Sequence, residues 1–423
     1  MPEADAIDIG TSFTLRGAAV LDEAGGFSGP QDVGVENGVI TAMAPSLPRS
    51  AASMDARGQW LMPGVIDCHS HLALTALASR PQLTTPITRW AIEAARNASV
   101  TLAAGVTFVR DAGGLDAGVR SSIDDGLVQG PTVQISIVPL TQTGGHVDGW
   151  FSGPGLESSV ANLFPDYPGR PPFRVDGVDA MCATVRQLLR AGADWIKLCT
   201  TGGVLSEGDA LLDPEFSPEE IQMAVTEAAR RRKSVFTHAY GGPGIDNAVR
   251  AGVRSIEHGT FLTETQAAAM AKTGCWLVPT LSVLDEVIGM AKHGKLPPEM
   301  GSKALQLEAT LGEAVRIARA HGVRVALGTD ANSTAMHGRN LREIELLCRY
   351  GGMSVEEALL TATLRGAELC GVAATRGRIA PGYIFDAILL GADPSDPTVF
   401  ADPFTVRQVF KAGVAVRRDT ALN

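Results

Sequence analysis

Leu61-Met62-Pro63-Gly64-Val65-Ile66-Asp67-Cys68-His69-Ser70-His71 is an apolar run of strand length that ends in two histidines two residues apart. Side chains two apart on extended backbone point to the same face, so both imidazoles can grip one ion. A His-x-His pair can also be two solvated loop histidines. The apolar lead-in favours a strand end that presents ligands.

The pattern recurs along the chain. Strand candidates are Gly64–Cys68, Val106–Arg110, Val133–Val138, Trp195–Cys199, Ser234–Thr237, Ser255–Glu257, Trp276–Pro279 and Arg324–Leu327. Helical stretches lie between most of them, such as Glu219–Arg232, where Ser217 and Glu220 form a capping box. Eight such units predict an α/β fold, a (β/α)8 TIM barrel over residues 63–377 with its active site on the loops after the strands. An open doubly wound sheet is the alternative, but no Gly-x-Gly-x-x-Gly follows the first strand. The flanks differ: Phe13 to Leu21, Val33 to Met43, Tyr383 to Leu390 and Val406 to Val416 are β-rich, with turns at Asn37-Gly38 and Ala412-Gly413. Residues 1–62 plus 378–423 are therefore expected to build one small β-sandwich domain from both ends.

Four more residues end or occupy these runs. Lys197 lies in the apolar strand Trp195-Ile196-Lys197-Leu198-Cys199, where a buried ammonium is costly unless paired or neutralised. It either forms a salt bridge to a barrel carboxylate or, as a neutral amine, reacts with carbon dioxide to give a carbamate. His238 and His258 end consecutive strands and read together as ligands of a second ion. Asp330 closes the eighth run, as a helix N-cap or as a further ligand.

Composition narrows the classes. The chain has 423 residues, 45% hydrophobic, with a formal charge of −10, which gives no footprint for nucleic acid and no pull toward anionic membranes. No apolar segment approaches the ~20 residues of a membrane span, and no signal peptide is evident. The six cysteines show no paired spacing. These features predict reduced thiols and a cytoplasmic location.

Pro63-Gly64-Val65-Ile66-Asp67 before His69-x-His71, the fourth-strand Lys197, the two later histidines and Gly328-Thr329-Asp330 resemble the amidohydrolase superfamily over nearly the whole chain. Lys197 through Thr201-Gly202-Gly203-Val204, Ala251-Gly252-Val253-Arg254-Ser255-Ile256-Glu257-His258-Gly259 and Thr143-Gly144-Gly145-His146 resemble one branch. It holds prolidase-like Xaa-Pro dipeptidases, Xaa-Arg/Lys dipeptidases and ochratoxin amidohydrolases.

That resemblance implies two divalent metal ions, zinc by ligand type. His69, His71 and Asp330 would hold one and His238 and His258 the other, with carboxylated Lys197 bridging. It implies Asp330 as proton carrier, His146 at the scissile carbonyl and Tyr240 at the substrate's terminal carboxylate; otherwise His146 is a surface loop histidine and Tyr240 packs the barrel rim. His337 is a further pocket candidate. The expected activity is cleavage of an amide or peptide bond to a C-terminal amino acid, on a dipeptide or other small molecule, in a homo-oligomer. An ochratoxin-type amidase releasing phenylalanine, a one-metal deaminase or imidazolonepropionase-like hydrolase, and a silent scaffold are the alternatives. Residues 147–175, rich in Gly and Pro with Trp150, Phe151, Phe164, Tyr167 and Phe173, are expected to form a lid or an oligomer contact.

Overall fold

The computed structural model describes residues 10–48, 50, 52–76, 85–149 and 169–416. Of the aromatics in the expected lid, Trp150, Phe151, Phe164 and Tyr167 lie outside the described residues, whereas Phe173 is buried.

Strands from both ends of the chain share one sheet. Its order is Val414–Ala415, Val406–Lys411, Ala387–Leu390, Trp60–Pro63, Phe13–Leu21, Phe27–Glu36 and Val39–Ala44, with Ser53–Asp55 pairing Phe13–Leu21. Alternating apolar residues supply its core, which includes Leu15, Val33, Val35, Ile40, Leu61 and Phe385. Phe13 stacks on Phe410 with ring centroids 5.6 Å apart. The Asn37-Gly38 turn separates two antiparallel strands, and Asn37 takes a left-handed φ of 50°.

The middle of the chain alternates parallel strands with helices in a TIM-barrel-like α/β arrangement. Pro139–Leu140, Trp195–Cys199, Ser234–Ala239, Ser255–His258 and Trp276–Val278 pair in that order, each parallel to the next. Val65–Ser70, Val106–Asp111 and Thr132–Ile135 form a second parallel set. The helices bury one face each against these strands; Pro218–Arg230 does so through Ile221, Ala224 and Ala228, and its N-terminus carries the Ser217/Glu220 capping box.

Two strands differ from expectation. The run Val133–Val138 stays a strand only over Thr132–Ile135, because Ile137 adopts a φ of 69°, and pairing resumes beyond the run at Pro139–Leu140. The run Arg324–Leu327 forms single bridges rather than a strand, Val325 to Leu277 and, further on, Ala331 to Ser70. It still lies between the seventh and first strands: Arg324 O accepts from Leu277 N at 3.0 Å, and Leu327 O from Cys68 N at 2.9 Å. Gly328 permits this tight passage, since a Cβ there would sit 2.3 Å from Val278 Cγ1. Among the described residues no helix is long and apolar enough to cross a membrane.

Candidate metal centre

The strand ends converge on one cavity of about 660 Å³, lined by His69, His71, Lys197, His238, His258 and Asp330 together with His146 and Tyr240. Burial opposes protonation of the imidazoles: it holds His69 and His238 well below the ordinary histidine range and His258 down at about 3.

Hydrogen-bond partners decide which ring nitrogen each histidine presents. A carbonyl or carboxylate oxygen can only accept, so the nitrogen facing it must carry the proton. His69 Nδ1 faces Glu257 Oε2 at 2.7 Å, and His71 Nδ1 faces the Gly113 carbonyl at 2.8 Å. Thr280 Oγ1 donates to the Pro279 carbonyl and therefore accepts from His258 Nδ1 at 2.6 Å. These three rings keep an Nε2 lone pair for the cavity. His238 is reversed, for its Nε2 donates to the Gly202 carbonyl at 3.1 Å and Nδ1 keeps the lone pair.

Asp330 Oδ1 lies 3.5 Å from His69 Nε2 and 3.2 Å from His71 Nε2. With both Nδ1 atoms protonated, this brings acceptors face to face. The contact is relieved either by a cation among them or by a second proton on His71, whose pKa is raised against its burial by the facing Asp330 carboxylate. Two ligands on a tetrahedral cation with bonds of ~2.0–2.1 Å stand roughly 3.3 Å apart. The donor set therefore fits a divalent ion. His69, His258 and Asp330 also present ligand atoms within 4.8 Å of one another. His258 and His238 adjoin, with ring centroids 4.6 Å apart.

Lys197 is 3% exposed and its Nζ lies 4.9 Å over the Phe236 ring. Among the described residues no carboxylate stands within 4.0 Å of that nitrogen, so the salt-bridge alternative lacks a partner. Burial lowers its pKa, favouring the neutral amine.

Backbone strain marks the same places. His258 (φ 69°), Thr280 (φ 52°) and Asp330 (φ 53°) all occupy left-handed conformations; for a β-branched threonine this is costly.

His146 stacks on His238, centroids 4.3 Å apart and 21° between planes. Its loop is fixed by buried Glu215, whose Oε1 accepts from His146 N at 2.6 Å and whose Oε2 accepts from Thr141 Oγ1 at 2.6 Å. Two glycines make room: a Cβ on Gly145 would lie 2.2 Å from Glu215 Oε2, and one on Gly203 would lie 2.0 Å from His146 Cε1. Tyr240 is buried in the wall and stacks on His258 at 5.2 Å. His337 stands apart. Its Nε2 donates to the Leu74 carbonyl at 3.0 Å, and it is not among the cavity-lining residues.

Several polar residues of the centre carried no role in the sequence reading. Glu257 accepts from His69 and also from Arg110, whose Nη2 lies 3.0 Å from each carboxylate oxygen; both side chains are fully buried. Arg110 is packed over Phe236 and Trp195. Asp67 accepts from His69 N, Thr329 Oγ1 and Asn340 Nδ2, joining the first strand end to the Thr329–Asp330 segment. The detectable signal was a charged residue inside an apolar strand run, the same one that marked Lys197.

A family model described as "Amidohydrolase family" matches residues 60–416. The chain belongs to the amidohydrolase family. Divalent metal is typical of that family, whose members are hydrolases, and a His/His/Asp group is in place here. Across 371 residues this amidohydrolase is 35% identical to ochratoxinase from Aspergillus niger, covering 84% of this chain and 75% of that one. A prolidase crystallised with N-methylphosphonate-L-proline superposes with a TM-score of 0.89 at 33% identity, covering 97% of this chain and 100% of that chain. A Xaa-Pro dipeptidase with methionine bound in its active site gives 0.86 at 28% identity, covering 96% and 100%.

Proposed function

We propose that this amidohydrolase holds two divalent cations and cleaves an amide or peptide bond to a C-terminal amino acid with a free carboxylate. The observation that carries the reading is the convergence of four imidazole lone pairs, each fixed by a hydrogen bond at the opposite nitrogen, on Asp330 and on Lys197, which has no ion-pair partner among the described residues. His69, His71 and Asp330 would hold one ion, and His238 and His258 the other. Lys197, as a carbamate, would bridge them.

When bound, such cations lower the pKa of a water and polarise a carbonyl oxygen; zinc suits the mixed nitrogen and oxygen donors. Asp330 accepts a proton from the attacking water and returns it to the leaving amine nitrogen, a role of ~10²–10⁴-fold. His146 meets the substrate at the bond to be cleaved, and Tyr240 meets its terminal carboxylate. The full reading has the parallel strands closing as a (β/α)8 barrel over residues 63–377, beside a β-sandwich from the two flanks, in a cytoplasmic protein.

Prolidase and ochratoxinase relatives support two versions of the substrate, an Xaa-Pro dipeptide and an N-acyl phenylalanine such as ochratoxin A. The cavity's outer wall favours a large apolar group. Val283, Leu284 and Val287 of helix Leu281–Lys292, with Pro297, Met300 and Leu205, all line the space. Steady-state assays on an Xaa-Pro and Xaa-Phe dipeptide panel beside ochratoxin A separate the versions, with turnover expected on at least one apolar member. No turnover on any free-carboxylate amide, with two metals per chain present, would sink the proposal.

A further inference from the structure

We propose that Lys303, Asp209 and Ser206 form a positioning relay that assigns the two nitrogens of His146, Nδ1 to the protein and Nε2 to the substrate. The proposal rests on the reading of His146 as a substrate contact and goes beyond it by saying what gives that ring its working state.

The chain of contacts begins at a helix end. Lys303, in helix Pro298–Gln306, is 6% exposed. Its three ammonium hydrogens have three acceptors: the Ser206 carbonyl at 2.7 Å, the Asp209 carbonyl at 3.0 Å and Asp209 Oδ1 at 2.9 Å. The ammonium is thus fully satisfied beside a buried carboxylate, and the Asp209 carboxyl is held below its ordinary range against its burial by His146 and by its hydrogen bonds. Asp209 Oδ2 in turn accepts from Gly203 N at 2.8 Å and stands 2.7 Å from Ser206 Oγ. Ser206 Oγ lies 2.9 Å from His146 Nδ1.

One serine hydroxyl has one hydrogen. The ionised Asp209 oxygen offers only lone pairs and is the nearest acceptor, so that hydrogen goes to Asp209. The Ser206 oxygen then accepts, and His146 Nδ1 must be the donor. Nε2 is the ring nitrogen left for a ligand. In this tautomer it carries a lone pair, so it meets a hydrogen-bond donor of the substrate, such as the N–H of the scissile amide, and not the carbonyl oxygen that the family resemblance implied. The ring cannot swing away, because its faces are confined by His238 at 4.3 Å and by Gly203, where any Cβ would collide. The relay joins three segments that follow different strands, Thr141–Asp148, Thr200–Asp209 and the helix that carries cavity-lining Met300. A histidine held merely as a surface loop residue would need no buried ion pair behind it.

The test uses the full-length, metal-loaded chain. Long-range ¹H–¹⁵N NMR of the imidazoles, with His146 assigned through His146→Gln, is expected to show a protonated Nδ1 in the unsubstituted protein. In Ser206→Ala the tautomers should mix, and kcat/KM should fall about a hundredfold, the scale of a small misplacement at a reacting centre. Metal content and Tm should hold, and Ser206→Thr should restore both spectrum and rate. An Nε2–H tautomer in the unsubstituted protein, or Ser206→Ala with unchanged spectrum and rate, overturns the relay. Full turnover by His146→Ala instead overturns the reading of His146 as a substrate contact, a result the spectra alone could not produce.

Discussion

Glu257 would determine how His69 meets a cation in the proposed centre. It fixes Nδ1 as the protonated nitrogen, while Arg110 and Ser255 Oγ, at 2.6 Å, supply its other hydrogen bonds. A carboxylate behind a ligating imidazole raises ligand basicity and sets ring orientation. Glu257→Gln is therefore expected to weaken metal binding ~10–100-fold, measured by competition with a chromogenic chelator. Affinity equal to that of the unsubstituted chain would leave Glu257 with only a packing role. At this scale the six proposed ligands were legible in the sequence because each ends or interrupts an apolar run. The groups behind them were not. Thr280 and Gly113 come from loops whose approach to His258 and His71 is fixed only by tertiary folding. His337, expected as a pocket residue, has its Nε2 turned to the carbonyl of Leu74, a residue that lines the cavity.

Among the elements, the helix pair Leu281–Lys292 and Pro298–Gln306 has two duties. It walls the cavity with apolar side chains, and through Lys303 it reaches the Thr200–Asp209 segment that contacts His146. Trimming the wall should change substrate choice before it changes catalysis. Met300→Ala is expected to lower kcat/KM by ~10-fold or more for substrates with a large apolar acyl group, the worth of a few methylenes in a pocket. Small dipeptides should be nearly unaffected. A uniform loss across both kinds would remove this helix from specificity. Periodicity read most elements well: Phe13–Leu21 and Trp195–Cys199 match their expected bounds, and the capping box of Pro218–Arg230 is present. It misread Val133–Val138 and Arg324–Leu327, where a left-handed Ile137 and the crowding around Gly328 interrupt regular pairing. Neither is visible in a pattern of apolar residues.

For the whole molecule, the proposed ligands come from segments spread between residues 69 and 330, so a bound ion would tie distant parts of the barrel-like domain together. Cations that bind only the folded state add their binding energy to its stability. Chelation is expected to abolish turnover, lower Tm by several degrees and be reversed by added divalent zinc, followed by calorimetry and assay on the same sample. Full activity after exhaustive chelation would sink the metal centre.

The sheet shared by the two ends of the chain bears on how the protein is made. Trp60–Pro63, directly before the strand that bears His69 and leads into His71, is flanked on one side by Ala387–Leu390. A ribosome must therefore complete more than three hundred intervening residues before that edge finds its neighbour. Until then the nascent chain exposes an unpaired apolar ribbon, a template for wrong partners. Completion of the sheet at this edge is thus a late, long-range event, and chaperone demand during synthesis follows from the order of the strands.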